Sequence, residues 1–418
     1  MIRAIVGAKL IDGTGSPPVS DSVIVWDNSR ISSVGRSSEV EVPKEAAVID
    51  GSGLTVIPGL MDLHVHIASP YYPPYADFWI GMTRTHQTLA ALYAAKHAQD
   101  LIKAGFTTVR DLGNPPYTFN RVALSLRRAI ELGLTLGPRL IVAGTMSTTA
   151  GHFDMSTPNW IQGEEYTVDG PWEARKRVRE LVRLGVDWIK VAGSGGMAGE
   201  LEEVWWTNFT EEEFSAITEE AHGFGKKVAV HVYGSTQVKK AISCGADTIE
   251  HGFPLDEETI TLIVEKGIYL IPTLHVFSER EMSAIRGSVH EHMMRKIEQA
   301  VEVCSASFRR AVRAGVKIAC GTDITILSPP AIQHGENAFE LELLVKHGMS
   351  ELDAIKTATA NSADALGLSD QLGTIEKGKF ADMLLVQGNL LSDIRILQEK
   401  ENIRKVIKAG SICVDREE

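Results

Sequence analysis

Five short apolar runs in this chain end in residues able to bind a metal ion, and that recurrence limits the fold more than any other feature of the sequence. Met61-Asp62-Leu63-His64-Val65-His66 carries two histidines two residues apart. Side chains alternate between the faces of a strand, so His64 and His66 project together and both imidazoles can reach one ion. Lys190 ends Val186-Asp187-Trp188-Ile189, His231 ends Val228-Ala229-Val230, His251 follows Asp247-Thr248-Ile249-Glu250, and Asp323 follows Ile318-Ala319-Cys320-Gly321-Thr322. A His-x-His pair by itself is weak evidence of a metal site, whereas six candidate groups at five strand ends form a far more specific pattern.

Three further strand-like runs, Thr107 to Asp111, Arg139 to Ala143 and Tyr269 to Pro272, bring the count to eight between Pro58 and Gly367. Helical patterns separate them. Thr88 to Lys103 is rich in Ala and Leu and stops at Gly105, Thr210-Glu211-Glu212-Glu213 is a capping-box opening, and Ser350-Glu351-Leu352-Asp353 opens another helix. Eight βα units in succession predict an α/β fold closed as a (β/α)8 TIM-like barrel, with an open doubly wound sheet as the structural alternative. In such a barrel the C-terminal ends of the strands form one mouth, where residues distant in sequence converge.

Strand-like alternation and turn signals at Asp12-Gly13-Thr14-Gly15 and Asp27-Asn28 mark the first 57 residues, and alternation returns in Gly373 to Val386 and Arg404 to Val414. The tail is too short for a core of its own. The expected organisation is therefore a barrel domain over 58–367 and a composite β-sandwich domain of 1–57 plus 368–418.

A net charge of -12 argues against a broad phosphate-binding surface, so nucleic acid is not expected as a partner. Cys244, Cys304, Cys320 and Cys413 form no Cys-x-x-Cys pair, which suggests neither a disulfide framework nor a thiolate zinc site. No apolar stretch is long enough to span a bilayer, and Met1 runs directly into a strand-like segment without a leader pattern. The expectation is a cytoplasmic protein with no membrane association.

The chain resembles the amidohydrolase superfamily, in the branch of imidazolonepropionase-like proteins and metal-dependent Xaa-Pro dipeptidases, or prolidases. The motifs that carry the resemblance are Pro58-Gly59-Leu60-Met61-Asp62-Leu63-His64-Val65-His66, Trp188-Ile189-Lys190, Ala229-Val230-His231, Thr248-Ile249-Glu250-His251-Gly252 and Gly321-Thr322-Asp323, with Gly373 to Asp382 near the C-terminus. The resemblance implies two divalent metal ions, His64, His66 and Asp323 on the more buried one and His231 and His251 on the other. Lys190 is implied to bridge them as an N-carboxylated side chain, which requires a neutral amine. Zinc suits a His/carboxylate site best, while cobalt and manganese fit similar ligands.

The implied reaction is cleavage of an amide bond by a metal-bridging hydroxide, with Asp323 relaying its proton to the leaving amine. His152, after Gly151, resembles the histidine that contacts the substrate carbonyl, and Tyr233 the tyrosine that holds a substrate carboxylate. Dipeptides or N-acyl amino acids are the expected substrates, Xaa-Pro dipeptides first among them. A lactam, a urea-type or an aryl amide is the alternative within the superfamily. A phosphotriester hydrolase and a non-enzymatic scaffold rank lower.

Other features receive plainer readings. His86 and His97 fall in or beside a helix with lysine and glutamine neighbours, His290, His292 and His347 lie on polar helical patterns, and all five are expected to be solvated, while His275 follows a strand and is placed to line the mouth. Gly193-Ser194-Gly195-Gly196-Met197-Ala198-Gly199 lacks the spacing of a nucleotide-binding loop and reads as a flexible mouth loop. Trp205-Trp206 reads as packing between loop and barrel. Tyr71-Tyr72-Pro73-Pro74-Tyr75 is either a lid or a contact in a homo-oligomer.

Overall fold

A computed structural model describes residues 1–69, 85–113, 118–156, 166–287, 289–324 and 333–416 of the chain. The Tyr71 to Tyr75 stretch lies outside them.

The first five strands are β1 (Ile2–Leu10), β2 (Val19–Asp27), β3 (Arg30–Arg36), β4 (Ala47–Asp50) and β5 (Leu54–Pro58). Seven more follow with helices between them: β6 (Leu60–Val65), β7 (Phe106–Asp111), β8 (Arg139–Met146), β9 (Trp188–Ala192), β10 (Lys227–Val232), β11 (Thr248–His251) and β12 (Tyr269–Ile271). Each of these seven pairs in parallel with the next, in sequence order.

Parallel strands flanked by helices are buried on both faces, and β6, β7, β9 and β11 are buried throughout their length. The alternation is visible in what each residue packs against. Ile189, Val191, Val228 and Val230 join the large core shared with the surrounding helices, and each such side chain contributes about 1.5–3 kcal/mol by its burial. Trp188 and Ala229 point to the other side, into a second cluster with Ala143, Tyr269, Ile271 and Ala319. Lys190 and His231 stand two residues further on, on that same face and nearer the strand ends.

The eighth position is filled without a regular strand. The segment 317–324 bridges Leu270 through Ile318 and Val65 through Ile324, both in parallel. Leu270 N–H donates to Lys317 O at 2.9 Å, Leu63 N–H to Cys320 O at 2.9 Å and Asp323 N–H to His64 O at 2.7 Å, so the segment joins β12 to β6. The expected strand is irregular because Cys320 N–H turns aside to Thr357 O at 3.1 Å and Asp323 takes a left-handed φ of 59°. Gly321 is needed there: a Cβ would lie 2.3 Å from Ile271 Cγ2 and 2.9 Å from His64 Cβ.

Strands from both ends of the chain share one hydrogen-bonded sheet. β13 (Met383–Gln387), β14 (Ile403–Lys408) and β15 (Ser411–Asp415) extend one hydrogen-bonded sheet in the order β15-β14-β13-β5-β1-β2-β3, with β4 also on β1. β13 runs antiparallel along β5 from Met383 opposite Pro58 to Gln387 opposite Leu54, so the tail lengthens the N-terminal sheet instead of starting a second one. One face of it buries Ile5, Ile24, Trp26, Val56, Met383 and Ile407 together. Among the described residues no helix is long and apolar enough to cross a membrane.

Candidate active site

The mouth of the barrel gathers the strand-end residues into one cluster. His64, from the C-terminal end of β6, has Nε2 3.4 Å from Asp323 Oδ1 and 3.3 Å from Lys190 Nζ. His66 reaches the same Asp323 oxygen at 2.9 Å. The His251 ring is centred 5.1 Å from that of His64 and 4.7 Å from that of His231. One ligand atom from each of His64, His251 and Asp323 lies within 4.8 Å of the others, a spacing that one metal ion can span.

Buried groups outside the expected set fix these rings. His64 Nδ1 lies 2.9 Å from Glu250 Oε2, and Glu250 in turn accepts from Arg110 Nη2 at 2.7 Å and Thr248 Oγ1 at 2.6 Å. His251 Nδ1 is 2.7 Å from Thr273 Oγ1, and His66 Nδ1 meets Gly113 O. Asp62 accepts from His64 N–H at 3.0 Å, Thr322 N–H at 3.1 Å, Thr322 Oγ1 at 2.7 Å and Asn337 Nδ2 at 2.7 Å, tying β6 to the eighth segment beside Asp323. Such partners set ring orientation and tautomer, leaving Nε2 of His64 and His66 directed at the shared space. His251, Thr273 and Asp323 all have left-handed backbone, at φ of 65°, 48° and 59°, a strained conformation that clusters at functional sites.

The electrostatics suit a cation. Burial holds His64, His231 and His251 well below the ordinary imidazole range, so they are neutral donors. Burial also draws Lys190 down to about 8, against the opposing pull of Glu250 and Asp323, and no ion pair to Lys190 occurs among the described residues. Burial raises Asp323, but His64, His66 and Lys190 outweigh it and keep the carboxyl at about 2. Three neutral imidazoles, an ionised carboxylate and a lysine with an accessible neutral form fit divalent metal ions.

His152 and Tyr233 flank the same cluster. The His152 ring stacks on His231 at 4.4 Å and 9°, and Tyr233 stacks on His251 at 5.1 Å and 7°. Burial pushes the Tyr233 phenol well up, so it stays protonated and can donate. His275 is buried beneath the mouth, its Nδ1 2.6 Å from Thr322 O, where it braces the peptide before Asp323.

Three plainer expectations are corrected. His97 is not solvated: its Nδ1 is 2.9 Å from Ile67 O and its ring lies 4.6 Å from that of His334, because the helix Gln87–Lys103 turns this position towards the mouth loops. Trp205 and Trp206 are not packed away but 57% and 44% exposed, and Trp205 lines a cavity of about 610 Å³ with Tyr233, Gln237 and Arg310. The glycine stretch 193–199 is closely tied, with Gly195 N–H donating to Trp206 O at 3.0 Å and Gly196 and Gly199 N–H to Glu202 at 2.8 and 2.9 Å.

Arg110, Glu250, Asp62 and Glu202 were not singled out from sequence. Asp62 and Glu250 stood inside the quoted motifs, beside His64 and His251, and a charged residue in a run otherwise buried was the available signal.

The Amidohydrolase family model matches residues 55–413. Ochratoxinase of Aspergillus niger is 31% identical over 98% of this chain and 86% of its own length. The crystal structure of a Xaa-Pro dipeptidase with methionine bound in its active site is 35% identical and has a TM-score of 0.88, covering 99% of each chain. That of a prolidase complexed with N-methylphosphonate-L-proline is 28% identical with a TM-score of 0.89 over 100% of each. With this fold, this cluster and a family match over most of its length, the chain belongs to the amidohydrolase family.

Proposed function

We propose that this chain, a hydrolase of amide bonds, uses two divalent metal ions to cleave small dipeptides or N-acyl amino acids, with Xaa-Pro dipeptides as the lead substrates. The observation that carries the reading is Lys190, buried, drawn down to about 8 and standing 3.3 Å from His64 Nε2 among neutral imidazoles. A neutral amine in that position is what carboxylation of the lysine requires. His64, His66 and Asp323 would hold one metal, His231 and His251 the other, and carboxylated Lys190 would lie between them, with zinc the best match to the donors. When bound, the metals supply an acidified water and Lewis-acid polarisation of the scissile carbonyl.

The remaining steps belong to side chains of the chain. Asp323, ionised and beside His64 and His66, takes the proton of the attacking water and passes it to the amine as the C–N bond breaks. His152 donates to the carbonyl oxygen as negative charge develops there. Tyr233, protonated and stacked on His251, donates to the substrate carboxylate. The likeness to a Xaa-Pro dipeptidase and to a prolidase holding a proline phosphonate supports this choice of substrate.

A second reading has its own support. The exposed Trp205 beside Tyr233 suits an amide that carries an aromatic group. Release of free amine from a panel of Xaa-Pro dipeptides, N-acyl amino acids and aryl amides, with zinc and bicarbonate and with a chelated control, separates the two. Chelator-sensitive cleavage limited to a C-terminal proline supports the first. Cleavage of aryl amides alone replaces it with the second.

A further inference from the structure

We infer that Glu202 and the glycine stretch 193–199 form a seat that positions His152 for the reaction. The inference rests on the proposed role of His152 at the substrate carbonyl and names the residues that make that role attainable.

His152 Nδ1 lies 3.1 Å from both carboxylate oxygens of Glu202, which is almost completely buried although it comes from an acidic surface run. The same carboxylate accepts from Gly196 N–H and Gly199 N–H, so its place is fixed by the loop that it holds together. Burial alone would raise Glu202, but His152 and the two loop amides outweigh it and keep it below the ordinary carboxylate range, hence ionised. An ionised carboxylate at Nδ1 sets the ring's orientation and keeps a proton on that nitrogen, so the Nε2 edge is the one that addresses a substrate, and it donates to the carbonyl in the doubly protonated ring.

The other side of the ring is equally constrained. A Cβ on Gly196 would fall 1.9 Å from His152 Cε1, and one on Gly199 2.5 Å from Glu202 Oε1. These glycines therefore let the backbone come up against the imidazole and its carboxylate. The imidazole also stacks on His231. A third element holds the loop from outside: buried Lys296, on the helix Glu291–Arg313, donates to Gly199 O at 2.6 Å, to Gly196 O at 3.4 Å and to Glu202 O. His292 Nε2 on the same helix is 3.1 Å from Ala198 O. Neither Glu202 nor Lys296 is in the metal cluster, so both act through His152 as positioning residues.

The test uses full-length enzyme loaded with metal and two variants, Glu202→Gln, which keeps the shape but removes the charge, and Gly196→Ala, which leaves Glu202 intact but crowds the ring. Both should keep the wild-type metal content. On the best substrate of the panel, kcat should fall about 10- to 100-fold with KM little changed, the pattern of an interaction made in the transition state. A second readout needs no turnover: the proton NMR signal of the His152 Nδ1–H, assigned by its loss in His152→Gln, should lie downfield in the wild type and move in both variants. Wild-type kcat in either variant, or an unmoved signal in Glu202→Gln, overturns the inference. If the wild type cleaves nothing in the panel, the substrate reading fails, and the NMR signal still decides whether Glu202 seats His152. Should Glu202→Gln not fold, Gly196→Ala carries both readouts alone.

Discussion

Nζ of Lys190 and Nε2 of His64 stand 3.3 Å apart with both side chains buried, a distance at which the lysine can donate to a neutral imidazole. Burial lowers the lysine to about 8 and so brings its neutral form within reach, and carboxylation, which needs that form, should follow its titration. Metal-free enzyme given zinc at a fixed concentration of dissolved carbon dioxide should activate slowly below pH 8 and faster as pH rises through 8, where the amine loses its proton. Activation that is independent of both carbon dioxide and pH would remove Lys190 as a carboxylated bridge. Lys190→Ala should fold but show no turnover.

Loss of the proposed carbonyl donor has a different signature. His152→Ala should lower kcat by about 10²–10³-fold, the usual effect of removing one oxyanion donor. Metal content, measured by atomic absorption, should stay at the wild-type level because His152 lies against His231 without belonging to the cluster of His64, His251 and Asp323.

Arg110 and Glu250 form a salt bridge at 2.7 Å with neither side chain exposed. Arg110→Met leaves a buried carboxylate without its cation and should cost about 3–5 kcal/mol in urea unfolding of the metal-free protein. Adding Glu250→Gln to the same chain should restore part of that loss, since the unpaired charge is then gone. A double variant as unstable as Arg110→Met would place the cost elsewhere.

Glu340 offers a pH test away from the metal cluster. Burial lifts its carboxyl from 4.5 to about 8, against the N–H groups of Leu274 and His275 that it accepts at 2.8 Å each. A carboxyl raised by folding contributes stability in full below its unfolded value, and that contribution is lost as pH rises through the folded value. The Tm of the metal-free protein should therefore fall, from this group, between pH 4.5 and 8, and Glu340→Gln should flatten the curve over that window. An unchanged slope in the variant would mean that another group sets it.

Strand periodicity made much of this architecture legible. Lys190 and His231 each follow apolar residues that alternate between two cores, and alternation is written into adjacent positions of the sequence. What closes the barrel was less legible, because the irregularity of 317–324 depends on a hydrogen bond from Cys320 to Thr357 that no local pattern announces. The same applies to the support of the rings. Glu202 reads as surface in an acidic run, and only Lys296, far along the chain, and the fold of the glycine loop turn it inward. His97 was misread because lysine and glutamine neighbour it in sequence, while its contacts come from Ile67 and His334 on other elements. Alternation reveals that strands exist but not which edge they join, so the pairing of β13 with β5 was not legible.

The antiparallel pairing of β13 with β5 sets an order on biosynthesis. β5 leads through the single residue Gly59 into β6, the strand that carries His64, and Gly59 N–H donates to Asp382 O at 2.9 Å. While the chain emerges from the ribosome, that edge of β5 waits for a partner more than three hundred residues away, and these contacts cannot form until translation has entered the last tenth of the protein. The first histidines of the site are thus among the earliest residues translated, while the partner of the strand leading into them is among the last, so a prematurely terminated chain would carry the cluster's side chains yet leave that edge of β5 unpaired.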